Sequence, residues 1–148
     1  MVPAFHATFN VYEHPEKLSF RTPDWAFAFD VRGIIDEPHR VEVFIECKAR
    51  TVGTDLLAAY REFLAKSWLT AARDEHREDL FWFATNVPFG RDAGLHLTSL
   101  DFVREQLTVD SRTGRWASDL PDIGLSAFAK RVSVCVLTDS QMRRMNLA

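Results

Sequence analysis

With two cysteines, six glycines and six prolines in 148 residues, the chain lacks what several classes of protein require. Cys47 and Cys135 show no C-x-x-C spacing, which argues against a disulfide framework and a zinc-thiolate site and leaves two buried, reduced thiols as the expectation. The scattered glycines build no phosphate-cradling loop, so nucleoside-triphosphate hydrolysis by a P-loop is disfavoured. His6, His14, His39, His76 and His96 lack the paired spacing that zinc uses, and each is expected on the surface or satisfied in the core. No apolar stretch approaches the length of a membrane span and nothing reads as a signal peptide, so a soluble, cytoplasmic protein is expected. Positive charge is also short. With 18 Lys and Arg against 21 Asp and Glu the formal net charge is −3, which argues against a general nucleic-acid coat protein. It leaves open a cleft whose local field differs from the total. No internal repeat or low-complexity tract is present.

What remains is one domain, residues 1–148, long enough to bury a real core and 47% hydrophobic. Its most informative stretch is Glu46-Cys47-Lys48, which closes the apolar run Val41-Glu42-Val43-Phe44-Ile45. That run follows the turn-like Asp36-Glu37-Pro38-His39 and reads as a strand, so Glu46 and Lys48, two residues apart, project from one side of it. Upstream, Asp30 ends a second apolar run, Trp25-Ala26-Phe27-Ala28-Phe29. A hairpin centred near Pro38 pairs Asp30 with Glu46, since both lie eight residues from the centre. Parity then puts Val41, Val43, Ile45 and Cys47 beside Trp25, Phe27, Phe29 and Val31. Ala26, Ala28 and Phe44 lead to the charges on the other face.

Two neighbouring carboxylates repel each other, and a cation or a shared proton must relieve the repulsion. Oxygen-only ligands favour Mg²⁺, with Mn²⁺ as a substitute, and Mg²⁺ takes remaining ligands from water and phosphate. A nearby ammonium can orient a metal-activated water or stabilise charge developing on phosphate. The chemistry this points to is hydrolysis of a phosphodiester.

Asp30, Glu46 and Lys48 in this order resemble the PD-(D/E)xK nuclease superfamily, the restriction-endonuclease-like fold. The resemblance covers roughly residues 25–90 as strand, hairpin, strand, helix and strand; the C-terminal part carries no recognised motif. It implies an α/β fold with a mixed central sheet flanked by helices, and a divalent-metal-dependent endonuclease acting on DNA in restriction, phage defence or repair. It further implies that Asp30 and Glu46 hold the metal while Lys48 assists the attacking water. The alternative is an inactive module of the same fold that binds nucleic acid or protein in a larger assembly, and a homodimer or partner subunit fits either reading. Pro23-Asp24 spells the family's "PD" but stands six residues before Asp30, about 20 Å along an extended strand, and reads as a turn.

Thr54 reads as an N-cap, followed by Leu56, Leu57, Tyr60, Phe63, Leu64, Trp68 and Ala71 in one helical stripe. Arg61, Lys66 and Arg73 fall on its polar side, either solvated or, like Arg50 at the mouth of the proposed site, against backbone phosphate. Leu80-Phe81-Trp82-Phe83-Ala84 reads as a strand buried on both faces. The Thr85-Asn86 that follows resembles the Mrr-like restriction enzymes or is a plain strand-end turn. Thr98-Ser99-Leu100-Asp101 opens a short helix through Leu107. The stretch from Asp110 to Pro121 and Gly124 reads as loop, with Arg112, Arg115 and Trp116 either a nucleic-acid contact or, for the Trp, the closure of a core edge. Val132–Leu137 reads as a strand and Asp139 as the cap of a last helical turn, whose Arg143 and Arg144 extend the basic surface. Residues 4–12 look strand-like where the family commonly has a helix bearing a further acid, a part Glu13 or Glu16 can fill.

Overall fold

The computed structural model of the chain describes residues 7–10, 19–22, 25–35, 41–48, 56–73, 78–86, 96–114 and 121–144. In chain order the strands are β1 (Ala7–Asn10), β2 (Ser19–Arg21), β3 (Ala26–Ala28), β4 (Val31–Ile35), β5 (Val41–Lys48), β6 (Leu80–Thr85) and β7 (Val132–Val136). The helices are α1 (Leu56–Ala71), α2 (Leu100–Val109), α3 (Asp122–Ala129) and α4 (Asp139–Arg144). Five strands form a mixed sheet in the order β1-β4-β5-β6-β7; β1, β4 and β5 run antiparallel, while β6 and β7 continue parallel to β5. The molecule is therefore an α/β protein with a mixed central sheet and flanking helices.

Alternation along the central strands sorts the core onto two faces. Phe44, Phe81 and Phe83 enter the larger cluster, with Tyr60, Phe63 and Leu64 of α1, Val103 and Leu107 of α2, and Leu125 and Phe128 of α3. Val43 and Ile45 enter a second cluster with Val31, Ile35 and Ala84. β6 is apolar at every position but its last because both of its faces are covered, as its continuous apolar run predicts.

The hairpin carries the expected register on a different strand. β5 pairs with Val31–Ile35, from Val31↔Ile45 to Ile35↔Val41, which centres the hairpin on position 38. Trp25–Phe29 is not its partner. Ala26–Ala28 instead pairs with Ser19–Arg21 in a separate two-stranded sheet, closed by Thr22 and Trp25, whose backbones bond at 2.7 Å (Thr22 N to Trp25 O). The parity expected across residues 25–31 also breaks. Phe27 and Phe29 join the helix-side cluster, Phe29 lying 5.1 Å from Phe44 and 6.1 Å from Phe81 between ring centroids, whereas Val31 belongs to the opposite cluster. The bend at Asp30 supplies the change of face, and the aromatic packing stabilises it. The turn 36–40 lies outside the described residues, as do Asp24 of the "PD" dipeptide, Thr54, Glu13 and Glu16.

The helices carry three further corrections. The stretch expected as loop as far as Gly124 already turns helical at Asp122, where α3 begins, with Pro121 at its N-cap and Leu125, Phe128 and Ala129 buried at helical spacing. A proline there interrupts no intrahelical bond, and its fixed φ suits the helix start. α2 begins at the expected cap, where Ser99 Oγ accepts from Phe102 N–H at 3.3 Å, but runs to Val109 rather than stopping at Leu107. α4 is capped one residue before Asp139: Thr138 Oγ1 accepts from Gln141 N–H at 3.2 Å, and Gln141 Oε1 accepts from Thr138 N–H at 2.8 Å.

Candidate functional site

The ladder ends at Val31↔Ile45, and the Asp30 N–H still donates to Ile45 O at 3.0 Å. One residue further the symmetric count about position 38 would set Asp30 opposite Glu46; the ladder has ended there, and the bonds of Asp30 bracket Glu46, to Ile45 on one side and Cys47 on the other. Asp30 is exposed at the bend, and its Oδ2 accepts from Cys47 N–H at 2.7 Å, which fixes the carboxylate at the end of β5. Glu46 and Lys48 share the helix-side face with Phe44, and Lys48 Nζ lies 2.9 Å from Glu46 Oε1. Asp30, Glu46 and Lys48 thus meet at one end of the hairpin.

Glu46 is only 4% exposed, because α1 lies over it. Lys66, expected on the polar side of that helix, is itself buried. Its Nζ sits 3.3 Å from both Glu46 Oε1 and Oε2 and 3.2 Å from the carbonyl oxygen of Ala28. Glu62, one turn back, stands 3.7 Å away at the surface. Lys66 is therefore no surface phosphate contact. Its sequence position carried a weak signal: three residues after Phe63 and four before Thr70, it falls on the edge of the buried stripe rather than opposite it. Leu57, expected within the stripe, is exposed.

The other basic positions are also engaged inside the fold. Arg61 Nε donates to Gln106 Oε1 at 2.9 Å, tying α1 to α2, and Arg73 donates to Arg21 O at 2.8 Å while lying over the Phe20 ring. Both are half-buried and hydrogen-bonded, and Arg73 stands just past the end of α1 rather than on its polar side. Arg112 is paired with Asp110 through two side-chain hydrogen bonds of 2.9 and 2.7 Å and stacks 3.7 Å over Trp25, which makes it part of the frame rather than a mobile nucleic-acid contact. Arg50, Arg115 and Trp116 lie outside the described residues.

The electrostatics follow from this crowding. Burial alone would lower the Lys48 pKa, but the hydrogen bond and charge of Glu46, reinforced by Asp30 and Glu62, raise it overall, so Lys48 is an ammonium at neutral pH. Burial, then the charges of Asp30 and Glu46, push the Cys47 thiol up to about 12, although Lys48 opposes them. Cys47 and Cys135 are free thiols, but half-buried rather than fully buried.

As a cation site the cluster offers two carboxylates of oxygen chemistry, and among the described residues no third Asp, Glu, His or Cys joins them in a metal-holding group. Mg²⁺ needs only one or two protein carboxylates when water and phosphate complete its shell, so Asp30 and Glu46 fit it in type and number. Each Glu46 oxygen already accepts from an ammonium, and one of the two lysines must yield before the carboxylate can turn to a metal. Comparison with known proteins finds no family model, no curated protein and no solved structure that matches this chain. No helix among the described residues is long and apolar enough to cross a membrane.

Proposed function

We propose that the chain is a Mg²⁺-dependent nuclease of the PD-(D/E)xK type that hydrolyses DNA phosphodiester bonds. The observation that carries the reading is the meeting of Asp30, Glu46 and Lys48 at the end of one hairpin, followed by α1 and the parallel strand β6. The order of elements supports a restriction-endonuclease-like fold in the same way. Asp30 and Glu46 would hold the ion, which supplies an acidified water and neutralises charge on the phosphate. Lys48, charged at neutral pH, acts as a donor: it orients the nucleophile or the phosphate oxygen beside it and is not the base. Asp30 stays in place through the bond that its Oδ2 accepts from Cys47 N–H, and its other oxygen would be the one to meet a ligand.

The alternative, an inactive module of the same fold that binds DNA or protein, is favoured by the burial of Glu46 beneath two ammonium groups. Incubating supercoiled and linear DNA with the protein, with and without Mg²⁺ and chelator and with an RNA control, separates the two. The nuclease reading expects cleavage that chelator abolishes and that Glu46→Gln lacks. Intact DNA at all Mg²⁺ and Mn²⁺ concentrations would leave the module reading.

A further inference from the structure

We infer that Lys66 is a tethered cation that competes with a divalent ion for Glu46, so that the site opens when the α1 ammonium swings from Glu46 to Glu62. The identity of the ion rests on the nuclease reading; the competition rests on the contacts of Lys66.

Lys66 lies on a helix that otherwise buries Phe63, Leu64, Ala65, Ser67 and Thr70. A lysine in that company loses hydration and rotamer freedom, and an unpaired ammonium would not stay there. What holds it is three oxygens: both carboxylate oxygens of Glu46 at 3.3 Å and the Ala28 carbonyl at 3.2 Å. Three N–H donors meet three acceptors. Two carboxylate oxygens and a peptide carbonyl around one positive charge are a cation seat, filled by the protein's own side chain.

The two lysines on Glu46 are not held alike. Lys48 approaches Oε1 at 2.9 Å, within the range of a charge-assisted hydrogen bond, while both Lys66 contacts are longer at 3.3 Å. Lys66 makes the longer contacts to Glu46 and has a second carboxylate within reach. Glu62, half-exposed and one helical turn away, offers a second carboxylate 3.7 Å from the same nitrogen. A divalent ion on Glu46 would share the carboxylate with the Lys66 ammonium where burial leaves little water to screen their repulsion. Ion and ammonium therefore exclude each other, and Lys66 sets the ion concentration at which the site loads. It is a positioning residue, acting through Glu46.

Calorimetric titration of Mn²⁺ into the full 148-residue chain tests this, with Lys66→Met, Glu62→Gln and Glu46→Gln beside wild type. Lys66→Met keeps the length of the stem without the charge and should bind Mn²⁺ about tenfold more tightly, because a like charge has left the seat. Glu62→Gln removes the alternative acceptor and should weaken binding; Glu46→Gln should abolish it. Equal or weaker binding by Lys66→Met overturns the inference. A measurement on wild type stands apart from the folding of any variant: amine acetylation mapped by mass spectrometry, with Lys48 as internal reference. Lys66 should be protected without metal and become acetylated in step with Mn²⁺ saturation, and protection that Mn²⁺ leaves unchanged also overturns the inference. DNA cleavage by wild type is scored separately. Tighter Mn²⁺ binding by Lys66→Met without any cleavage keeps the competition and removes the nuclease, whereas cleavage with equal Mn²⁺ affinities removes the competition alone. No Mn²⁺ binding by either protein removes both.

Discussion

Asp30 accepts a hydrogen bond from the Cys47 N–H at 2.7 Å, so the residue that precedes β4 is tied to the end of β5 through one oxygen of its carboxylate. An asparagine at position 30 keeps an oxygen for that bond and loses the charge. Asp30→Asn should therefore stay within about 1 kcal/mol of wild type in urea denaturation, the scale of one modest hydrogen-bond change. Mn²⁺ affinity and DNA cleavage should both fall. Equal calorimetric affinities for the two proteins would remove Asp30 from the metal site.

Glu46 and Lys48 belong to one motif but should separate in stability. Relief of carboxylate repulsion would make Glu46→Ala stabilising, but the buried Lys66 reverses that sign: without Glu46 its ammonium keeps, among the described residues, the Ala28 carbonyl and the half-exposed Glu62 at 3.7 Å. Glu46→Ala should lose about 3 kcal/mol, the low end for one partner removed from a buried ion pair. Lys48, about a third exposed, should cost at most about 1 kcal/mol on truncation to Ala. Both variants should lack cleavage. An equal stability loss in the two would contradict the asymmetry of burial.

How far this was legible before the fold was known differs residue by residue. Bringing Asp30 to the Glu46 end of β5 required only counting about position 38, and the hairpin obeys that count. Assigning the paired strand to residues 25–30 failed because Phe29 is drawn to Phe44 and Phe81 and Phe27 packs on Phe29 and Phe20, a nonlocal preference that accompanies the bend at Asp30 before β4 begins. α3 was hidden by Pro121 and Gly124, which read as breakers; the proline stands where a helix tolerates it, and no neighbour crowds Gly124. Lys66 was hidden by its charge. Hydropathy places a lysine outside, and only the facing carboxylate, twenty residues away in sequence, brings it in.

Cys47 reports on the same site at alkaline pH. Its thiol is pushed up to about 12 from an ordinary 9.0, so above pH 9 the unfolded chain gives up a proton that the native chain keeps. The contribution of Cys47 is complete below about pH 9 and is lost as pH rises toward 12. Cys47→Ala should show a shallower loss of stability over that window than wild type. Native Cys47 should also alkylate far more slowly with iodoacetamide at pH 8 than the urea-unfolded chain. Rapid native alkylation mapped to Cys47 would contradict the burial and the two neighbouring carboxylates.

The pair Asp110 and Arg112 makes the opposite pH argument. Burial works to raise the Asp110 pKa, but the side-chain and backbone hydrogen bonds from Arg112 and its charge outweigh it, and the carboxyl sits below its ordinary 3.8. Its stabilisation is present above that value and is lost as pH falls through the lower, folded one. Asp110→Asn should cost about 2 kcal/mol at pH 7, the scale of hydrogen bonds to a charged group. The cost should shrink as the pH is lowered into the acid range. A penalty independent of pH would mean that the carboxylate charge is not what holds Arg112 over Trp25.

On the proposed function, a chain of net charge −3 would have to grip DNA through a local patch, and the fold changes which residues can form it. Arg61 donates its Nε–H to Gln106 and Lys66 its ammonium to Glu46, so both side chains are engaged within the fold. Arg50, two positions after the last residue of β5 in sequence, remains the candidate that the sequence offers. On duplex DNA each lost phosphate contact lowers the slope of log K against log salt by about 0.9. Arg50→Ala should show that loss while keeping metal affinity, and Arg61→Ala should keep the wild-type slope although it loosens the tie between α1 and α2. Fluorescence anisotropy across a salt series in the Glu46→Gln background, where cleavage is blocked and the side-chain shape is kept, measures both. A shallower slope for Arg61→Ala would show that its bond to Gln106 yields to phosphate, and an unchanged slope for Arg50→Ala would move the DNA path away from the end of β5.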